Sequence, residues 1–96
     1  MPTTIRDIQA AVAARYGVAA AELAANRSGR GRDAVPRQLV CWLAKRCTPY
    51  TLTRIGFHFG GRDHRTVARA VQRIDALMLA DPTLFRTATE IEEALV

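Results

Sequence analysis

The stretch Phe59-Gly60-Gly61-Arg62-Asp63-His64-Arg65-Thr66-Val67 decides the fold. Two consecutive glycines permit a sharp turn through backbone conformations closed to residues that carry a Cβ. A helix start follows, with Asp63 of the residue type that caps orphan amides. From there Val67, Val71, Ile74 and Met78 recur at the spacing of one α-helical face, while Arg65, Arg69, Gln72 and Arg73 fall on the opposite face. A helix with one apolar stripe and one arginine stripe, opened by a tight turn, has the sequence form of the second helix of a helix-turn-helix.

Upstream of the turn, Thr51 is a second capping residue, and Leu52, Ile55 and Phe59 define a short helix over about 51–58. The unit is therefore a first helix at 51–58, a turn at 59–62 and a second helix at 63–79. Thr48-Pro49-Tyr50 separates it from a longer helix in which Val35, Leu39, Trp42, Leu43 and Cys47 keep helical spacing, which makes that helix the central one of the core. Asp33 is placed to cap it, and Pro36 is tolerated in a first turn whose amides have no intrahelical acceptor.

Nearer the N-terminus, Ile5, Ile8, Val12 and Tyr16 share one face of a helix over 4–16 that ends near Gly17. Alanine-rich sequence over 19–25 favours a short second helix anchored by Leu23. Asp81-Pro82 has the form of a cap followed by a first-turn proline, opening a last helix whose Leu84, Ile91 and Leu95 pack back on the domain. No strand pattern appears. The reading is an all-α single domain over residues 1–96, a bundle of about six helices containing a helix-turn-helix.

The net charge of +5 conceals a stronger asymmetry, because residues 27–73 hold eleven of the fourteen Lys and Arg against only Asp33 and Asp63. A basic middle flanked by acidic ends points to a polyanion-binding face, and nucleic acid is the commonest such partner. Within it, Asn26-Arg27-Ser28-Gly29-Arg30-Gly31-Arg32 lacks apolar periodicity and suits phosphate or minor-groove contact, although a solvated linker has the same composition. No apolar run approaches the roughly 20 residues of a bilayer span. The start has no signal-peptide core, so the sequence reads as cytoplasmic.

Enzymatic and metal chemistry find no support. His58 and His64 straddle the turn with no ligand set to join them, no nucleophile and base are paired, and no cofactor or nucleotide motif is present. Cys41 and Cys47 lie too far apart along one helix to bridge and read as reduced thiols in the core. Residues at the start of a recognition helix reach base edges in the major groove, which singles out Asp63, His64, Arg65, Thr66 and, one turn on, Arg69. Aspartate accepts from the cytosine amine, threonine offers a hydroxyl and a methyl, and arginine grips guanine bidentately. The alternative class is a protein-binding adaptor, using Phe57, expected to be half-buried, and the acidic run Glu90-Ile91-Glu92-Glu93.

The sequence also resembles the C-terminal DNA-binding domain of the bacterial replication initiator DnaA. The resemblance covers Ile5 to Met78 and rests on Pro36-Arg37-Gln38, Leu43-Ala44-Lys45, Leu52-x-x-Ile55-Gly56-x-x-Phe59-Gly60-Gly61-Arg62-Asp63-His64 and Thr66-Val67. It implies a TrpR-like helical domain that binds double-stranded DnaA boxes and associates with the nucleoid. Asp63, His64, Thr66 and the position of Arg65 would read bases, Arg37, Gln38 and Lys45 would contact phosphates, and an arginine of the loop containing Arg27, Arg30 and Arg32 would enter the minor groove. Arg54, Arg62 and Arg73 add cations for the DNA backbone.

Three positions depart from the family pattern. Arg65 stands where a small hydroxyl residue is usual, which changes or relaxes base preference. Arg30 and Arg32 are one residue out of step, counted back from Pro36, and Thr53-Arg54 replaces a Pro-acidic pair. Without an ATP-binding loop or ATPase core, the resemblance implies either a free-standing regulator of transcription or replication initiation, favoured by the Met1 start, or a fragment of a full initiator.

Overall fold

The computed structural model describes residues 3–24, 34–59 and 61–95. Among them are six helices and no strand: α1 (Ile5–Tyr16), α2 (Ala20–Ala24), α3 (Ala34–Cys47), α4 (Leu52–Phe57), α5 (His64–Ala80) and α6 (Pro82–Leu95). Each boundary falls within two residues of its sequence expectation, because polar caps mark most of the ends. Thr4 and Asp7 form a reciprocal capping box on α1, with Asp7 N–H donating to Thr4 Oγ1 at 3.1 Å and Thr4 N–H to Asp7 Oδ2 at 3.0 Å. Gly17 stops the helix in the left-handed region at φ 67°. Thr51 and Asp63 cap α4 and α5. The expected Asp33 cap lies outside the described residues.

Helix α3 is the centre of the bundle and packs against all five other helices. It accordingly buries Leu39, Val40, Leu43 and Ala44 completely, joined by Cys41 and Trp42. Ile5, Ile8 and Val12 of α1 close one side of this core, Leu23 of α2 another, and Ile55, Val67 and Ile74 the helix-turn-helix side. Leu84, Ala88 and Ile91 seat α6 against the bundle, and Thr3 Oγ1 donates to the Leu95 carbonyl at 3.2 Å, joining the two ends. Each fully buried aliphatic side chain contributes roughly 1.5–3 kcal/mol, so α3 and the faces covering it supply most of the apolar stabilisation.

Phe57 corrects one expectation, being 71% exposed rather than half-buried. It lies two residues from Ile55, about 200° around the helix, and α4 turns Ile55 and Gly56 inward. No helix of the described residues is long and apolar enough to cross a membrane.

Candidate nucleic-acid interface

The turn between α4 and α5 is locked by one carbonyl. Gly56 O accepts from the backbone N–H of Phe59 at 3.0 Å and of Arg62 at 2.9 Å, so the chain doubles back onto α4 before α5 begins. A Cβ at Gly56 would overlap the Arg62 carbonyl oxygen, and its absence lets the two strands of backbone meet. Gly61 supplies the reversal itself, with φ 76°, a left-handed value. Phe59 then plugs the turn into the core at 3% exposure.

This turn presents Asp63, His64 and Arg65 at the exposed tip of α5. Asp63 Oδ1 caps the helix by accepting from Arg65 N–H at 2.7 Å. Its carboxylate also engages the Arg65 guanidinium, with Nη2 at 3.1 Å from Oδ2, and lies 3.2 Å from His64 Nδ1. The Arg65 side chain, then its backbone N–H, hold the Asp63 carboxyl down at about 2, while Asp63 pushes the Arg65 guanidinium upward. Both groups are charged throughout the physiological range.

Beside the tip, α3 and α5 form a cleft of about 200 Å³. Arg37, Gln38 and Cys41 line it from α3, Thr66, Arg69, Ala70 and Arg73 from α5, and Phe59 and Arg62 from the turn. The i, i+3, i+7 spacing of Thr66, Arg69 and Arg73 places them along one edge of α5. Arg37 is 8% exposed, and its Nη2 donates to the Glu22 carbonyl at 3.2 Å, which fixes the guanidinium at the α2–α3 corner. Gln38 Oε1 is buried without a hydrogen-bond partner among the described residues. Arg69 and Arg73 are exposed and form no ion pair among the described residues.

Six of the expected base-reading and backbone positions, Thr66, Arg69, Arg37, Gln38, Arg62 and Arg73, thus converge on one cleft. Lys45 stands apart, exposed in the last turn of α3, about 12 Å along the helix from Arg37. Arg54 lies over the Tyr50 ring at 5.3 Å, and that ring stacks on His58 with centroids 6.3 Å apart. Arg27, Arg30 and Arg32 lie outside the described residues. Sequence reasoning missed Phe59 and Cys41 as parts of the cleft, because both read simply as core residues. It also assigned no mechanical role to Gly56.

Chemically, the cleft offers exposed guanidinium groups along a helix edge, next to a helix tip whose side chains carry donors and acceptors. No group of three or more metal-ligating side chains occurs among the described residues. Burial pushes the Cys41 thiol up to about 12, against the opposing fields of Arg62 and Arg37, so it offers no nucleophile.

Residues 5–74 match the family model described as the bacterial dnaA protein helix-turn-helix, which is not a catalytic module. The chain is similar to the chromosomal replication initiator protein DnaA of Caulobacter sp. (strain K31), with 46% identity over 92 residues, covering 96% of this chain and 19% of that protein. The DnaA of Caulobacter vibrioides (strain NA1000 / CB15N) is 51% identical over 81 residues, 84% of this chain and 16% of the relative. That of Bartonella quintana (strain Toulouse) is 48% identical over 89 residues, 92% of this chain and 17% of the relative. The chain therefore spans less than a fifth of the length of these relatives. With its helix-turn-helix geometry and this match from the first turn of α1 into α5, the chain belongs to the bacterial DnaA helix-turn-helix family.

Proposed function

We propose that the chain binds duplex DNA in a sequence-dependent manner, with the tip of α5 in the major groove, and acts as a regulator of transcription or of replication initiation at the nucleoid. The observation that carries this reading is the pair Arg69 and Arg73, exposed and outside any ion pair among the described residues, on the edge of the helix whose tip carries Asp63, His64, Arg65 and Thr66. Cations in that state release condensed counterions when they meet phosphates, which is the main sequence-independent source of affinity. Arg62, Arg37 and Gln38 in the same cleft extend the contact along the backbone, and Lys45 and Arg54, which lie apart from it, add further phosphate contacts. Arg27, Arg30 and Arg32 of the basic segment outside the described residues are part of the same proposal. Replication initiation is the function carried in the relatives' names, and it supports that setting for the DNA binding.

Phe57, at 71% exposure on the first helix of the unit, favours a protein-binding adaptor as the second reading. Selection from a random duplex library, followed by titration of the enriched site, separates the two. A DNA-binding domain that contacts roughly six phosphates enriches a motif and loses about three orders of magnitude of affinity between 50 and 200 mM salt. An adaptor enriches nothing and shows no such salt dependence.

A further inference from the structure

The two charged side chains at the tip of α5 do not act independently. Asp63 Oδ1 accepts from Arg65 N–H at 2.7 Å and faces Arg65 Nε at 3.4 Å, while Oδ2 accepts from Arg65 Nη2 at 3.1 Å. The carboxylate therefore grips the guanidinium side-on, by its Nε–Nη2 edge. Arginine has five N–H donors in a rigid planar fork, so this grip leaves the end-on edge, Nη1 with the outer proton of Nη2, directed away from Asp63. No other described group engages that edge, and the Arg65 side chain is 73% exposed. The end-on edge is also the one that matches O6 and N7 of guanine in the major groove.

Asp63 is in the opposite state. Both of its oxygens are occupied, and Oδ1 additionally stands 3.2 Å from His64 Nδ1. Oδ1 is filled by the Arg65 N–H and Nε and by His64, while Oδ2 keeps one lone pair beside Arg65 Nη2, so a cytosine amine could reach Asp63 only by sharing that oxygen with the guanidinium. We propose that Asp63 is a positioning residue and not a base reader in this chain: it caps α5, holds Arg65 by one edge, and the pair reads a single guanine as a unit. This rests on the duplex-binding reading above and reassigns one of its contacts.

Two consequences follow from the geometry. A guanidinium already held in one orientation loses less rotamer freedom on docking than a free arginine, which favours discrimination at that base pair. The pair is also electrically neutral, so it presents a carboxylate to the groove without net repulsion and adds nothing to counterion release. Lysine substitutes poorly for Arg65, since an ammonium can donate to guanine but has no rigid planar fork by which Asp63 could fix its direction.

The test is a duplex-library selection with the wild-type chain and with Arg65→Thr, Arg65→Lys and Asp63→Ser, each variant checked for folding by thermal melting. Serine retains the N-cap but cannot reach the guanidinium. The affinity of each protein is then measured for the enriched site and for the same site with its guanine replaced. The expected wild-type motif contains a guanine whose replacement weakens binding at least tenfold. Arg65→Thr abolishes that preference, Arg65→Lys weakens it because an ammonium can still donate to guanine but is not held edge-on by Asp63, and Asp63→Ser reduces it at the same base pair while leaving the other positions of the motif intact. Asp63→Asn, which keeps a capping oxygen but sets an amide against Nη2, gives the same result by a second route. Loss of preference at a different base pair in the Asp63 variants would show that Asp63 reads on its own and would overturn the inference. An undiminished guanine ratio in those variants, or an unchanged motif in Arg65→Thr, would overturn it equally. A wild-type selection that enriches no motif removes the duplex-reading function and this inference with it. A motif lacking the coupling leaves the function standing and sinks the inference alone.

Discussion

Cys41 is the buried thiol in the lining of the α3–α5 cleft, which it shares with Arg37, Arg62, Arg69 and Arg73. Burial outweighs the fields of Arg62 and Arg37 and raises its thiol from 9.0 to about 12, while the half-buried Cys47 is raised by burial and by Glu92. A group whose folded value is raised contributes stability below its unfolded value and loses it as pH rises toward the folded one. The wild-type chain should therefore lose more stability than Cys41→Val between pH 9 and 10.5, which urea midpoints at the two pH values would show. At pH 8 a thiol reagent should modify Cys47 first and reach Cys41 only through unfolding. The core setting of Cys47 was legible in the helical spacing of α3, since Leu43 and Ala44 precede it by four and three residues, although it is only half-buried. Cys41 instead has Arg37, Gln38 and Lys45 at those spacings and is buried in the face of α3 that meets α5. The state of Asp63 was not legible. Adjacency to Arg65 was plain, but whether a carboxylate reaches outward to a base or sideways to its neighbour depends on side-chain conformation, which spacing does not specify. Phe57 failed for a related reason: in a helix of one and a half turns, a single residue can face away from everything.

At the scale of elements, the helix-turn-helix depends on Gly56 more than on the glycine pair that marks it. The pair is visible because turns demand φ values that only glycine adopts easily, and Gly61 does take φ 76°. Gly56 sits within α4 and satisfies a contact between residues six apart in sequence, its missing Cβ leaving room for the Arg62 carbonyl. Close approach of backbone to backbone leaves no periodic trace, so the sequence showed where the turn is without showing what clamps it. Gly56→Ala should force the α4–turn–α5 unit apart at a cost of about 3 kcal/mol, the upper end for overpacking a closed site, and lower the melting temperature by more than about 10 °C. Gly61→Ala meets nothing within 4 Å of the added Cβ and should cost only the left-handed backbone term, about 1–2 kcal/mol. Asparagine at position 61 should recover part of that loss. Equal melting temperatures for the two alanine variants would show that conformation, not the close approach, is what the unit requires. The helix ends themselves were readable because Thr4, Thr51, Asp63 and Asp81 are capping residues that announce a start.

Across the whole molecule, the fold sharpens a charge asymmetry already present along the chain. The acidic C-terminal helix turns back on part of the basic middle and on α1: Glu92 takes Arg46 at 2.8 Å and Glu90 takes Arg15 at 2.9 Å. Arg46 also covers the Trp42 ring at 5.2 Å, and the indole Nε1 donates to Asp75 at 2.8 Å, so this flank is consumed in internal contacts. The acidic run that read as a surface for a partner protein is thus in large part a counter-charge for the chain's own arginines. Composition cannot reveal that, because which acid meets which base depends on how α6 crosses the bundle. Along the cleft edge, Arg69 and Arg73 stand outside any such pairing among the described residues. The difference is measurable by comparing Glu90→Gln/Glu92→Gln with Arg69→Ala/Arg73→Ala on a random duplex between 50 and 200 mM salt. Exposed ion pairs contribute at most about 1 kcal/mol each, so the first double variant should melt only a few degrees lower. It should bind all duplexes slightly more tightly at low salt, through the long-range field, with an unchanged slope of log K against log salt. The second should fold as well as wild type and reduce that slope by roughly 0.9 for each phosphate that is no longer neutralised. If the two double variants alter the slope equally, the cleft arginines act only through net charge, and the edge of α5 is not where the backbone is held.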